Sequence, residues 1–298
     1  MFFFLKIFYA AGLFLLKPLL KNRPIYSIIL IYVLLGGEIL RILAVGDVCG
    51  ESGCSRLLSA LPKFKRENNI DFTVVNGENS AASNGISKDS ANTIIAAGAD
   101  VITGGNHTLH RKDFRPLLDS NEFFLRPHNM PDAQYGSGYC ITDMGYTKIA
   151  VINLLGQVYL DMHRAENPFL AADRLIDRAK ADGANVILVD FHAEATSEKR
   201  ALGFYLDGRA SAVFGTHTHV QTNDAQILPH GTVYITDLGM SGPVHSVLGV
   251  EPEIIIDRFK DGEKGRFVSA EGESVIEGLL FEIDEKSGKA LFAKAVKF

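Results

Sequence analysis

The chain has 298 residues, 47% of them apolar, and a formal charge of −5. That length and content can bury a large core without disulfides or a structural metal, as one sizeable domain or two small ones. The acidic balance argues against a general nucleic-acid binder, which needs a positive surface to displace counterions.

Residues 1–39 differ from the rest: an apolar stretch from Met1 to Leu16 broken by Lys6, a basic turn from Lys17 to Pro24, and a second apolar run from Ile25 to Leu35. Neither run reaches the roughly 20 residues that span a bilayer, and the segment Leu34 to Glu38 offers no A-x-A-like cleavage site. From Leu40 onward, buried strands alternate with amphipathic helices. Strand Arg41 to Val48 leads to a helix from about Ser55 to Asn68, interrupted by Pro62. Strand Asp71 to Gly77 leads to helix Lys88 to Ala97, and strand Asp100 to Gly104 to a helix near Lys112 to Ser120. Strands Lys148 to Leu155 and Asn185 to Asp190 flank a helix from Pro168 to Ala181, whose proline suits a first turn. A run from Ala212 to Phe214 follows, then strands Ala225 to Leu228, Thr232 to Thr236 and Glu253 to Phe259. Ser274 to Asp284 and Lys289 to Lys297 form a terminal hairpin. The cysteines Cys49, Cys54 and Cys140 form neither a C-x-x-C pair nor an even set, which favours a reducing compartment and a cytoplasmic catalytic part.

Five segments carry most of the metal-seeking side chains: Gly46-Asp47, Asn76-Gly77-Glu78-Asn79, Gly105-Asn106-His107, Asp190-Phe191-His192 and Gly215-Thr216-His217-Thr218-His219. Each follows a run of β-type residues, so the ligands are predicted at the carboxyl ends of strands, where open α/β sheets build their sites. A turn past the last of these strands, permitted by Gly215, is expected to aim His217 and His219 together. Carboxylate, amide and imidazole without thiolate suit Fe, Mn or Zn. Two such ions about 3.5 to 4 Å apart can share a carboxylate, naturally Glu78, and neutralise both non-bridging oxygens of a phosphate. A lone Asn-His or His-x-His pair is usually structural; five in order, each after a strand, read as a two-metal phosphoesterase site. His192 alone could be a core histidine, but its place before Glu194 and the helix-capping run Thr196-Ser197-Glu198 favours the site. Cys49, two residues after Asp47, is read as a buried small side chain before a soft ligand.

These residues resemble the calcineurin-like metallophosphoesterases, and within them the YmdB-type bacterial phosphodiesterases. Asp47-Val48-Cys49 lacks the superfamily's first histidine, and Gly77-Glu78-Asn79 replaces its Asp-based second motif, as in that branch. The likeness extends to the segments Val189 to Lys199, Glu166 to Phe169 and Thr236 to Met240, and so covers Leu40 to about Phe298. It implies an α/β fold, a four-layer αββα sandwich of two mixed sheets flanked by helices, with a dinuclear centre at the strand ends. One metal would be held by Asp47, Glu78, Asn79 and His219, the other by Glu78, Asn106, His192 and His217, with Fe foremost and Mn or Zn as alternatives. His107 would be the general acid, and a metal-bridging hydroxide the attacking group.

The function implied is hydrolysis of phosphodiester bonds, with 2′,3′- or 3′,5′-cyclic nucleotides as small-molecule substrates, homo-oligomerisation left open and no membrane partner for the catalytic domain. Alternatives are a phosphomonoesterase or nucleotidase, and a regulatory nucleotide- or RNA-binding protein with incidental catalysis. His110, His128, His163 and His245 stand where the family pattern has other residues. The plain reading is surface drift; the sharper one is that His110 and His245 replace pocket acids and favour a more anionic substrate. Residues 1–39 are read as translated upstream sequence, with the domain starting at residue 40, where the family begins with Met. A membrane-targeting segment is the other reading.

Overall fold

Two β-sheets lie face to face in the computed structural model, which describes residues 39–82, 84–131, 134–160, 164–262 and 265–298. The readings of residues 1–38 and of His163 lie outside these. Leu40–Phe298 cluster as one unit. The first sheet contains β1 (Ile39–Val45), β2 (Asp47–Val48), β3 (Phe72–Asn76), β4 (Val101–Thr103), β11 (Met240–Pro243), β12 (Ser274–Asp284) and β13 (Ala290–Lys297), ordered β2-β11-β12-β1-β3-β4 with β13 paired to β12. The second contains β5 (Tyr139–Asp143), β6 (Lys148–Leu155), β7 (Val186–His192), β8 (Ala212–Thr216), β9 (Gln226–Ile227) and β10 (Val233–Ile235), ordered β5-β6-β7-β8-β10-β9.

Side chains alternate between two cores. In β1, Leu40, Ile42 and Ala44 enter the layer shared with Val186, Leu188, Ala212 and Phe214 of the other sheet, whereas Leu43 and Val45 pack outward under helices. Strands covered on both faces read as unbroken apolar runs, which is why the sequence pattern identifies them. The outer face of the first sheet is covered by α1 (Gly50–Asn68), α2 (Lys88–Ala96) and α3 (Arg115–Ser120). That of the second is covered by α4 (Pro168–Ala181) and α5 (Thr196–Tyr205), with Ala171, Leu175 and Ile176 of α4 beside Ile187 and Val189. Three apolar layers between four layers of structure make the expected αββα sandwich.

Several local expectations need correction. Glu253 to Phe259 is not a strand but lies in α6 (Pro252–Asp261). The β-branched run Ile254 to Ile256 masked the stronger punctuation, a proline in the first turn and Gly262 in the left-handed conformation at the end. Helix α1 begins at Gly50 rather than Ser55 and runs through Pro62 without interruption. Burial of Leu57 and Leu61, worth about 1.5–3 kcal/mol each, offsets the ~3 kcal/mol cost of an internal proline. Thr196-Ser197-Glu198 form the first turn of α5 and not its cap, which is Ala195 without a side-chain bond. Among the described residues no helix is long and apolar enough to cross a membrane.

Candidate metal centre

Strand register brings the candidate ligands to one place. Leu155, His192 and Thr216 stand level across the parallel strands β6, β7 and β8, and Asn76 stands level with Thr103 across β3 and β4. Asp47 and His192 lie within strands, while Glu78, Asn79, Asn106, His107, His217 and His219 follow strand ends directly. The structure brings all eight predicted site residues together.

Four donor atoms converge at one point. His192 Nε2 lies 3.0 Å from Glu78 Oε1, 3.1 Å from Asn106 Oδ1 and 3.0 Å from His217 Nδ1. The second group is looser: Asp47 Oδ1 is 3.7 Å from His219 Nε2, and Asn79 Nδ2 is 3.1 Å from the same nitrogen and 3.4 Å from Glu78 Oε1. Glu78 thus touches both groups, as a bridging carboxylate must. His107 donates its backbone N–H to Glu78 Oε2 at 3.0 Å, and its Nδ1 lies 3.3 Å from both Glu78 Oε1 and Asn79 Oδ1. Cys49 places its sulfur 3.6 Å from His219 Nδ1, and that nitrogen also reaches Leu248 O at 3.1 Å.

The turn after β8 is made by the histidines themselves. His217 has φ 100° and His219 φ 61°, a region that costs a non-glycine residue about 1–3 kcal/mol and collects at functional sites. Gly215 is not the hinge. It lies inside β8, where Thr236 O would stand 1.8 Å from an added Cβ. Gly105 has a different reason: a Cβ there would meet Glu78 Oε2 at 2.1 Å and His192 Nε2 at 2.3 Å, so only glycine leaves these two side chains room.

The donor set fits cations. Asp47 Oδ1 is buried with no hydrogen-bond partner, an uncompensated desolvation that a metal would satisfy. Burial raises the Asp47 carboxyl above its usual range despite His219 and His192. Burial also disfavours charge on Glu78, but His192 and His107 outweigh it and hold that carboxyl well below its usual range. Burial and neighbouring His192 push His217 down to about 3, leaving a neutral imidazole suited to ligation.

Supporting residues escaped the sequence reading. Asp190 shares a strand face with His192 and accepts hydrogen bonds from Thr103, Asn76 and Thr216, joining the two sheets. Burial drives its carboxyl up to about 6 against those bonds. Thr216 donates to Asp190 Oδ1 at 2.7 Å, so its oxygen is left to accept from His192 Nδ1 at 3.0 Å, which fixes the tautomer that leaves Nε2 free for a cation. Glu194 Oε2 lies 3.0 Å from His217 Nε2. Asp190 and Glu194 lie in or next to the motif segments, but the roles of both appear only from tertiary contacts.

The centre opens into a cavity of about 730 Å³. His107 and Glu194 line it, but His110 and His245 do not. Both are exposed, and His110 instead sets its ring 4.7 Å from that of His107. Their placement therefore gives no support to a role as substitutes for pocket acids. His128 is no surface residue, since it is half-buried with Nδ1 enclosed.

The sequence profile of the YmdB-like protein family matches residues 43–296. A 2′,3′-cyclic-nucleotide 2′-phosphodiesterase of Bacillus subtilis is 46% identical over 252 residues, 85% of this chain and 94% of that one. Among solved structures, a novel phosphatase from Mycoplasma pneumoniae superposes with a TM-score of 0.83 at 32% identity, over 88% of this chain and 94% of that one. A hypothetical protein from Thermus thermophilus superposes with a TM-score of 0.80 at 37% identity, over 87% and 99%.

Proposed function

Because the chain belongs to the YmdB-like family of calcineurin-like metallophosphoesterases, we propose that this hydrolytic phosphoesterase acts on cyclic nucleotides, 2′,3′-cyclic before 3′,5′-cyclic. The observation that carries the reading is the convergence of His192 Nε2, Glu78 Oε1, Asn106 Oδ1 and His217 Nδ1 beside a buried Asp47 oxygen that has no hydrogen-bond partner. The cyclic-nucleotide assignment draws on the name of the Bacillus subtilis relative.

Asp47, Glu78, Asn79 and His219 would hold one ion, and Glu78, Asn106, His192 and His217 the other. Bound ions of Fe, Mn or Zn supply charge neutralisation at the phosphate oxygens and acidify water. Thr216 and Asp190 keep His192 in its ligating tautomer. His107, with Nδ1 held by Glu78 and Asn79, retains Nε2 for proton transfer to the departing ribose oxygen. Water adds to phosphorus, one P–O bond of the ring breaks, the released oxygen takes the proton, and a phosphomonoester results.

A panel of 2′,3′- and 3′,5′-cyclic nucleotides, p-nitrophenyl phosphate and its bis ester tests this. Opening of a cyclic ester to a single monoester, with p-nitrophenyl phosphate at least ten-fold slower, supports the reading. Faster turnover of the monoester would instead make the protein a phosphomonoesterase.

A further inference from the structure

Besides the candidate metal ligands, the same cavity is lined by residues of another character. The turn at Leu248, helix α6 and the segment 266–269 contribute Leu248, Ile255, Arg258, Phe259, Arg266 and Phe267. Among the described residues the acids lining the cavity are Glu78 and Glu194, both at the metal end. This part of the lining therefore offers two guanidinium groups and two phenyl rings without a carboxylate, in a chain whose formal charge is −5.

This wall is built and not incidental. Glu251 N donates to Val268 O and Ala270 N to Gly249 O, both at 3.0 Å, which ties the segment carrying Phe267 to the loop after Leu248. Leu248 O in turn faces His219 Nδ1 at 3.1 Å, so the wall is anchored one contact from a predicted ligand. Arg258 places its guanidinium carbon 4.8 Å from the centre of the Phe267 ring, a cation–π pair. Phe259 is 86% exposed, and α6 has no buried residue. Large flat side chains left open beside an anion site match what proteins use to stack unpaired bases, aromatic rings and arginine planes together.

We infer that this wall is a nucleobase subsite: with the phosphate at the metal ligands, Phe259 and the Arg258–Phe267 pair stack the base of the nucleotide. The inference rests on the phosphodiesterase reading for where the phosphate sits, and it makes the base, as well as the ring phosphate, a determinant of substrate choice. Stacking tolerates any base, so the subsite selects nucleotides over plain sugar phosphates without choosing strongly among bases.

The test measures binding of adenosine 3′-monophosphate and ribose 3-phosphate to the Mn-loaded full chain by calorimetry. The native protein should prefer the nucleotide by about 5- to 150-fold, the range one stacked base supplies. Phe259→Ala with Phe267→Ala should erase the preference while ribose phosphate binds as before, and Phe267→Tyr should retain it. Equal native affinities would overturn the subsite, as would a double variant that keeps its preference. Loss of both ligands alike in the double and the Tyr variants, or a change of oligomeric state on removing the rings, would also overturn it by making the patch structural or a contact between copies. Hydrolysis separates the two readings. A nucleotide preference in binding with no turnover of any phosphodiester would sink the catalytic reading alone. Equal kcat/KM and equal binding for adenosine and 1-O-methylribose 2′,3′-cyclic phosphates would sink the subsite alone.

Discussion

Lys199 Nζ donates to Asp237 Oδ2 at 2.8 Å, a fully enclosed ion pair beneath the turn that carries His217 and His219. The same carboxylate oxygen accepts from Thr218 N at 3.1 Å and Thr218 Oγ1 at 2.7 Å, clamping the residue between two strained histidines. Removing one partner of a buried pair costs about 3–5 kcal/mol. Asp237→Ala should therefore lower stability to denaturant by that amount, and metal titration should show weaker binding because the turn relaxes. Unaltered metal affinity in the folded variant would mean that the turn holds its shape without the clamp.

Thr216→Val keeps the volume at the end of β8 but removes the hydroxyl between Asp190 and His192. Metal affinity should fall about 10- to 100-fold, the usual cost of losing such a partner, and Thr216→Ser should restore it. Retained affinity in the valine variant would show that His192 is oriented by Glu78 and Asn106 alone.

Burial first, then Cys49 and Glu51, pushes the Cys54 thiol up to about 12, and burial with Glu122 does the same for Cys140. A raised thiol pKa means that the reactive thiolate is scarce below it, about one molecule in ten thousand at pH 8. Neither cysteine should be alkylated by iodoacetamide in the native protein at that pH, and both should react once it is unfolded in denaturant. Mass-spectrometric mapping of labelled peptides reads this directly, and native labelling at Cys54 or Cys140 would contradict the burial described.

The candidate ligand segments were legible because each lies at or just past the end of a strand, and strands buried on both faces leave unbroken apolar runs such as Ile42 to Val45 and Val186 to Val189. The four layers came with the family resemblance, since the alternation of runs and helices by itself indicates an α/β fold without the number of layers. Strands β5 and β11 were missed because Tyr139 to Asp143 and Met240 to Pro243 are short and mixed in polarity. Helix α6 was misread because three successive isoleucines look like a strand core when their partner surface is unknown. The Lys199–Asp237 and Asp190–Thr216 contacts join residues 38 and 26 positions apart, and no spacing rule announces such pairs. The fine placement of His110, packed against His107 and outside the cavity lining, likewise depends on how the loop after β4 folds.

If Glu78 bridges the two ligand groups, bound metal and turnover fall together when its carboxylate is removed. Elemental analysis of the native protein should find about two ions per chain. Glu78→Ala should carry close to none and hydrolyse no 2′,3′-cyclic nucleotide, whereas His107→Ala should keep both ions and lose most turnover, since it is assigned a proton and not a ligand. A Glu78→Ala protein that retains both metals would mean that Glu78 is not the bridge, and a His107→Ala protein that has lost them would make His107 a ligand.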